Sequence, residues 1–261
     1  MRFLPFQFAA FFLLALPASE AFAAVEIGNA AEVTKQVTGT LEARERTLAK
    51  GDPVYQSETI ETASDGEGEF IFLDDTKLAV GPKSEIVLDK FVYDPTSKNG
   101  EIVINAAKGA FRFISGNSAK TAYKINTPVS TIGVRGTVFD GFVNDDGELA
   151  LLLVEGEIDV CPTPASCKRL NRHGFFYHIR RNGKISDPRK WDGTFFSGVD
   201  FGHAFPFVGK RMRIHPTPRF RRADLLGGRM LKQGIRPLRN APRIIPRTRI
   251  RPRLPRIRRP F

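Results

Sequence analysis

The sequence predicts an all-β domain, and three observations carry that prediction. Short apolar or alternating segments recur about every ten residues from roughly position 33 to position 160. They are rich in Val, Ile, Phe and Thr, which fit a pleated, half-buried surface, and Gly, Pro and Asp punctuate them as turn residues. Between them lies no stretch of helical period long enough to serve as a βαβ crossover, so a sandwich, barrel or solenoid is favoured over an α/β fold.

At the N-terminus, Arg2 precedes an apolar run, Phe3 to Leu16, broken only by Pro5 and Gln7. Ala21-Phe22-Ala23 then supplies the small-x-small pattern cut by signal peptidase. A membrane-spanning helix needs about 20 apolar residues. This run is shorter, ends at Pro17 and is followed by Glu20. Residues 1–23 are therefore expected to be a signal peptide cleaved near Ala23, with the mature chain periplasmic or secreted and without a transmembrane span.

The β domain is expected over 33–165. Ala31 to Ala49 is the one stretch arguable as helix, and its Val-Thr-Gly-Thr content favours strand. Glu69–Leu73, Lys77–Val80 and Ser84–Leu88 read as strands separated by turns at Asp74-Asp75-Thr76 and Gly81-Pro82. Glu101–Ile104, Ala110–Ile114, Thr137–Phe139 and the longer apolar run Leu149–Val154 continue the series. Asn144-Asp145-Asp146-Gly147 marks a hairpin, because Asx and Gly accept positive φ.

Cys161 and Cys167 flank Pro-Thr-Pro-Ala-Ser, a segment built to turn. In an oxidising compartment such a pair is expected to be a disulfide. Metal binding or redox chemistry would call for a CxxC or a nearby His, and neither is present. Residues 166–209 are rich in aromatics (among them Phe175, Phe176, Tyr177, Trp191, Phe195 and Phe196) and show no period. They predict an irregular extension packed on the β domain, with a short helix near Asp187 to Trp191. An exposed aromatic patch for a partner is the sharper alternative.

Charge divides unevenly. Of 40 basic and 28 acidic residues, 18 and one respectively fall within 210–261, so the formal +12 is +17 on the tail and −5 on the remainder. From Arg211 onward Arg alternates with Pro, Ile and Leu, a composition expected to stay extended or disordered. Arg247, Arg249, Arg251, Arg253, Arg256, Arg258 and Arg259 are candidates for contact with anionic lipid, lipopolysaccharide or polysaccharide. Nucleic acid is disfavoured by export and by the lack of interleaved aromatics.

Catalytic templates find no match. His173, His178, His203 and His215 lack metal-ligand spacing, and no GxSxG, P-loop or GxGxxG is present. Asp74 and Asp75, adjacent on a strand, would point to opposite faces. No enzyme activity, cofactor or metal is expected.

Several stretches together resemble the FecR domain family. Gly51-Asp52-Pro53-Val54 with Glu58–Thr62 is similar to its opening turn and strand. Phe72-Leu73-Asp74-Asp75-Thr76-Lys77-Leu78 is similar to its central strand-turn-strand, with Asp75 where Gly is usual. Ile125–Phe139, containing Thr127-Pro128 and Gly133-Val134-Arg135-Gly136-Thr137, resembles the family's signature, and Val154-Glu155-Gly156-Glu157-Ile158 its closing element. The resemblance implies a compact β-solenoid-like or sandwich domain with a periplasmic or secreted binding role. The family's name-giver is a membrane-spanning sensor and anti-sigma regulator. Neither a sigma-binding domain nor a separate transmembrane helix is expected here, so that activity is not carried over.

Thr127, Pro128, Gly133, Arg135, Gly136, Thr137, Glu155 and Gly156 are the signature residues. Pro128 should hold Thr127 extended at a strand end. Gly133 and Gly136 should let the backbone turn or approach a neighbour around Arg135. Arg135 should point inward, onto turn carbonyls or an acid such as Glu155. An anion contact at Arg135 is the functional alternative. The expected function is a non-enzymatic binding module for an envelope protein or ligand, in signalling or organisation. The alternative is a structural envelope or secreted-matrix protein self-associating through its β domain.

Overall fold

A computed structural model of the chain describes residues 24–228 apart from 164–165 and 218. The signal segment 1–23 and the seven tail arginines from Arg247 to Arg259 lie outside the described residues. Fourteen strands form one hydrogen-bonded sheet that folds back on itself. β1 (Glu26–Thr34), β2 (Val37–Leu41), β3 (Arg44–Thr47), β4 (Pro53–Tyr55) and β5 (Glu58–Thr62) open the chain. The sheet thus starts at Glu26, ahead of the expected boundary at 33, because β1 already pairs with later strands. β6 (Glu67–Phe72), β7 (Lys77–Val80), β8 (Glu85–Tyr93), β9 (Gly100–Ile114) and β10 (Tyr123–Thr127) follow. β11 (Ser130–Val143), β12 (Leu149–Thr163), β13 (Ser166–Leu170) and β14 (Phe176–Ile179) complete it.

Three long strands make the two layers. β9 pairs with β8 and β10 along its first half and with β7 and β11 along its second. β11 and β12 likewise change partners midway, at an irregularity between Arg135 and Val138. One layer runs β14-β12-β11-β9-β7-β6-β1-β4 and the other β13-β12-β11-β10-β9-β8-β5-β2-β3. Their inner faces meet in a core where Phe72 lies edge-on to Phe91 at 6.0 Å and Phe113 to Tyr123 at 5.6 Å. This is a sandwich whose two sheets share bent strands.

The first layer is buried on both faces. Along β12, Leu149, Leu151 and Leu153 enter the inner core, whereas Ala150, Leu152 and Val154 join a second cluster outside. A strap formed by residues 180–228 covers that outer face. It contributes Trp191, Phe195, Phe196, Phe201, Phe205 and Phe207, all buried. Trp191 stacks on Phe195 with ring centroids 5.0 Å apart, and Phe176 of β14 meets Phe205 at 4.9 Å. The aromatic patch is therefore a second core. The helix expected near Asp187–Trp191 is replaced by isolated bridges, Arg189 to Phe176 and Trp191 to Leu226. Helical turns fall instead at α1 (Phe201–Ala204) and α2 (Arg222–Leu225). Asp187-Pro188 keeps the backbone before it extended, which favours a bridge over a helix there.

The expected tail boundary at 210 also moves. Met212, Ile214 and Leu225 are buried, so the stretch to Gly228 is part of the folded body. Charge holds it there as well: Lys210 pairs with Glu67, Arg219 with Glu155 at 3.0 Å, and the Ile214 amide donates to Glu69 at 2.9 Å. Acids of the first layer thus meet bases of the strap. Among the described residues no helix is long and apolar enough to cross a membrane.

The candidate binding face and its cleft

Among the described residues nothing covers the outer face of the second layer. Its inner residues Ile125, Ile132, Val134, Ile158 and Val160 are buried. Strand alternation therefore turns Lys124, Asn126, Thr131, Gly133, Arg135, Glu157 and Asp159 outward. Gly133 stands directly between Lys124 on β10 and Asp159 on β12. Arg135 stands opposite Glu157. Asp159 is held by Arg169, whose hydrogen bond at 2.8 Å keeps the carboxyl below its ordinary value.

The signature residues divide into two groups. Thr127 ends β10 as expected: its hydroxyl donates to the Ser130 carbonyl at 2.9 Å and accepts from the Ser130 amide, closing the turn over Pro128. Gly136 (φ +66°) and Gly156 (φ +74°) form the kink where β11 and β12 change layers. A Cβ on Gly156 would stand 2.3 Å from the Gly136 carbonyl oxygen, so glycine is required there. Thr137 locks the same kink, donating to the Glu157 carbonyl at 2.7 Å.

The second group, Gly133 and Arg135, departs from expectation. Gly133 lies within β11 rather than in a turn, and a Cβ there would approach nothing closer than 3.8 Å. Arg135 does not point inward and does not reach Glu155, which is taken by Arg219. Among the described residues its side chain makes no hydrogen bond and no ion pair. The bulge beside it is closed by Thr137 and backbone contacts, which removes the need for an inward guanidinium.

Beside Gly133 the outer face falls into an open cleft of about 930 Å³. Lys124, Thr127, Ser130, Thr163, Ser166 and Arg181 are among its walls. Cys161 and Cys167 are joined as a disulfide across the β12–β13 hairpin, pinning one wall. Pro128, Val129 and Arg181 are shared with a second hollow of about 510 Å³ that reaches the Asn144–Gly147 turn. That turn is the expected one, with Gly147 at φ +78° and the Asn144 side chain accepting from the Glu148 amide at 2.8 Å.

Several polar groups away from the cleft act as locks whose partners the sequence did not reveal. The Asp74 carboxylate accepts from the Thr76 amide and hydroxyl, the Ser118 hydroxyl and the Tyr123 phenol, all at 2.8–3.0 Å. Burial, more than the Asp74 charge, pushes the Tyr123 phenol above its ordinary value. Asp75 keeps the left-handed turn that glycine would adopt, at φ +64°. Asn117 donates to its carboxylate at 2.6 Å, consistent with the tolerance of Asp for that region. His178 is buried against Glu148 at 2.8 Å, and desolvation lowers its pKa despite that partner. Among the described residues no group of three or more His, Cys, Asp or Glu is arranged to hold a metal ion.

Residues 58–159 match the family model described as FecR protein. These residues are a FecR domain. The match runs from β5 into β12 and takes in both the Thr127–Thr137 signature and Glu155-Gly156. It leaves β1–β4, β13, β14 and the strap outside. Two crystal structures, at 1.65 and 2.50 Å resolution, of a putative anti-sigma factor from Parabacteroides distasonis ATCC 8503 align at 17% identity with a TM-score of 0.39. The alignment covers 49% of this chain and 57% of that one, so the chain spans little more than half the length of that protein. No curated protein matches the chain.

Proposed function

We propose that this chain is a non-enzymatic exported FecR-domain protein. It is a ligand- or protein-binding module in cell-envelope signalling or organisation, with its basic tail contacting anionic surfaces. The observation that carries the reading is the uncovered second layer. Gly133 and Arg135, signature residues of the FecR domain, lie half-buried on that face; no close neighbour requires glycine at 133, and among the described residues the Arg135 side chain makes no hydrogen bond or ion pair. A glycine in a strand that no neighbour requires is suited to close approach by another molecule.

Self-association through strand edges is less well supported. β3 presents Arg44-Glu45-Arg46, β4 begins with Pro53, and β13 carries Lys168 and Arg169. The open side of β14 is occupied by bridges to Ile185 and Arg189. These are the features that blunt sheet edges.

A photo-crosslinking residue placed at Thr131, with Arg211 on the strap as control, tests the reading in exporting cells. A discrete adduct from Thr131 alone is expected. Equal adducts from both positions, or none from either, would overturn it.

A further inference from the structure

We propose that the cleft takes an extended acidic peptide segment of a partner protein, whose carboxylates are read by Lys124 and Arg181. This rests on the reading of the second layer as the contact face and names what that face recognises.

Four observations select the occupant. Among the described residues Lys124 and Arg181 are the only charged side chains lining the cleft, so that lining presents cations and no carboxylate. Arg181 is exposed, and its guanidinium has no hydrogen bond or ion pair among the described residues, although its amide is tied to Glu148 at 3.4 Å. Lys124 shares Glu101 with Lys90 at 3.1 Å in an exposed cluster. Exchanging such a partner costs little, because surface pairs of this kind are worth about 0–1 kcal/mol. Charge complementarity therefore favours an anionic ligand, and a guanidinium beside an ammonium suits carboxylates.

The remaining lining decides between anionic classes. Among the described residues no aromatic ring lines the cleft, which removes the stacking platform that bases use. Its walls offer Thr, Ser and Asn side chains together with Pro128 and Pro162, suited to main-chain amides and carbonyls. The cleft is an open depression rather than a closed pocket, and the hollow beyond Pro128 and Val129, lined by Glu85, Asp145 and Asp146 beside Lys108, bounds an acidic segment on that side. An extended chain, rising about 3.3 Å per residue, fits that open shape. The walls are already fixed by the Cys161–Cys167 disulfide and by the Thr127–Ser130 turn, so little ordering is needed on binding. The protein's own tail is rich in cations and so does not complement Lys124 and Arg181.

The test uses the full chain and three probes in calorimetry: a blocked Ser-Glu-Thr-Glu-Ser peptide, its Gln counterpart, and an oligogalacturonate of matched charge. The Glu peptide is expected to bind about tenfold or more tighter than the Gln peptide, as a charge-assisted contact implies. Lys124→Gln with Arg181→Gln should abolish that difference while leaving the melting temperature unchanged. Equal binding of the two peptides, no binding, or preference for the oligogalacturonate would overturn the proposal. The crosslink from Thr131 separates the two levels. An adduct that the Glu peptide does not compete away sinks the acidic class alone, whereas no adduct and no binding sink the contact face with it.

Discussion

Arg112 and Asp140 face each other across β9 and β11, joined by hydrogen bonds of 2.6 and 2.8 Å, and both side chains are buried. They lie on the outer face of the first layer, beneath the strap. Arg112 also donates to His215 Nδ1 at 3.1 Å and lies against Met212 Sδ at 3.8 Å. The pair therefore ties the sheet to the segment that covers it.

Removing one partner leaves an uncompensated buried charge, so Asp140→Ala should destabilise the protein by about 3–5 kcal/mol in urea unfolding. Arg112→Met combined with Asp140→Leu should recover most of that loss, because both charges are then absent. A double variant as weak as the single one would show that the pair contributes through something other than mutual neutralisation.

The strap should behave as core. Trp191→Ala should cost about 3–5 kcal/mol, as for other large buried aromatics. A chain ended after Gly209 should bind a hydrophobic dye and aggregate, since Met212, Ile214 and Leu225 would no longer complete the outer cluster. A chain ended after Gly228 should melt as the full chain does.

Stability should fall in mild acid. Burial lowers the pKa of both His178 and His215 below the ordinary 6.5, and for His215 the Arg112 guanidinium adds to it. Below about pH 6.5 the unfolded chain takes up protons that the native state refuses. Stability is thus fully present above that pH and declines as pH drops toward the lowered native values. Melting temperatures at about pH 7.5 and 5.5 should differ less in His215→Asn than in the parent.

The two signature glycines should respond in opposite ways. Gly156→Ala combines positive φ with a backbone clash and should cost about 2 kcal/mol or more. Gly133→Ala meets only ordinary van der Waals contact with Asp159 and should change stability by no more than about 0.5 kcal/mol. Equal losses at the two positions would return Gly133 to a purely structural role.

The local grammar of the fold was legible in the sequence. The Asn144–Gly147 hairpin, the Asp75 turn and the strand ending at Thr127-Pro128 each depend on residues within a few positions of one another. Long-range features were not. Ala106-Ala107-Lys108-Gly109 reads as a break, yet β9 runs through it because β8 and β11 flank it on successive halves. Arg112 and Asp140 find each other only through the register of two long strands. The strap left one trace: Leu149–Val154 is apolar without alternation, as a strand covered on both faces must be. Arg135 was expected inside because a loop was expected around it; in a regular strand, alternation turns it out.

The proposed pairing of a folded binding body with a cationic tether is tested most directly by sedimentation with anionic lipid vesicles. The full chain is compared with one ended after Gly228, so that the strap stays in place. The prediction is that the full chain alone sediments and that high salt releases it. If both chains sediment equally, or neither does, the tail is not an electrostatic anchor.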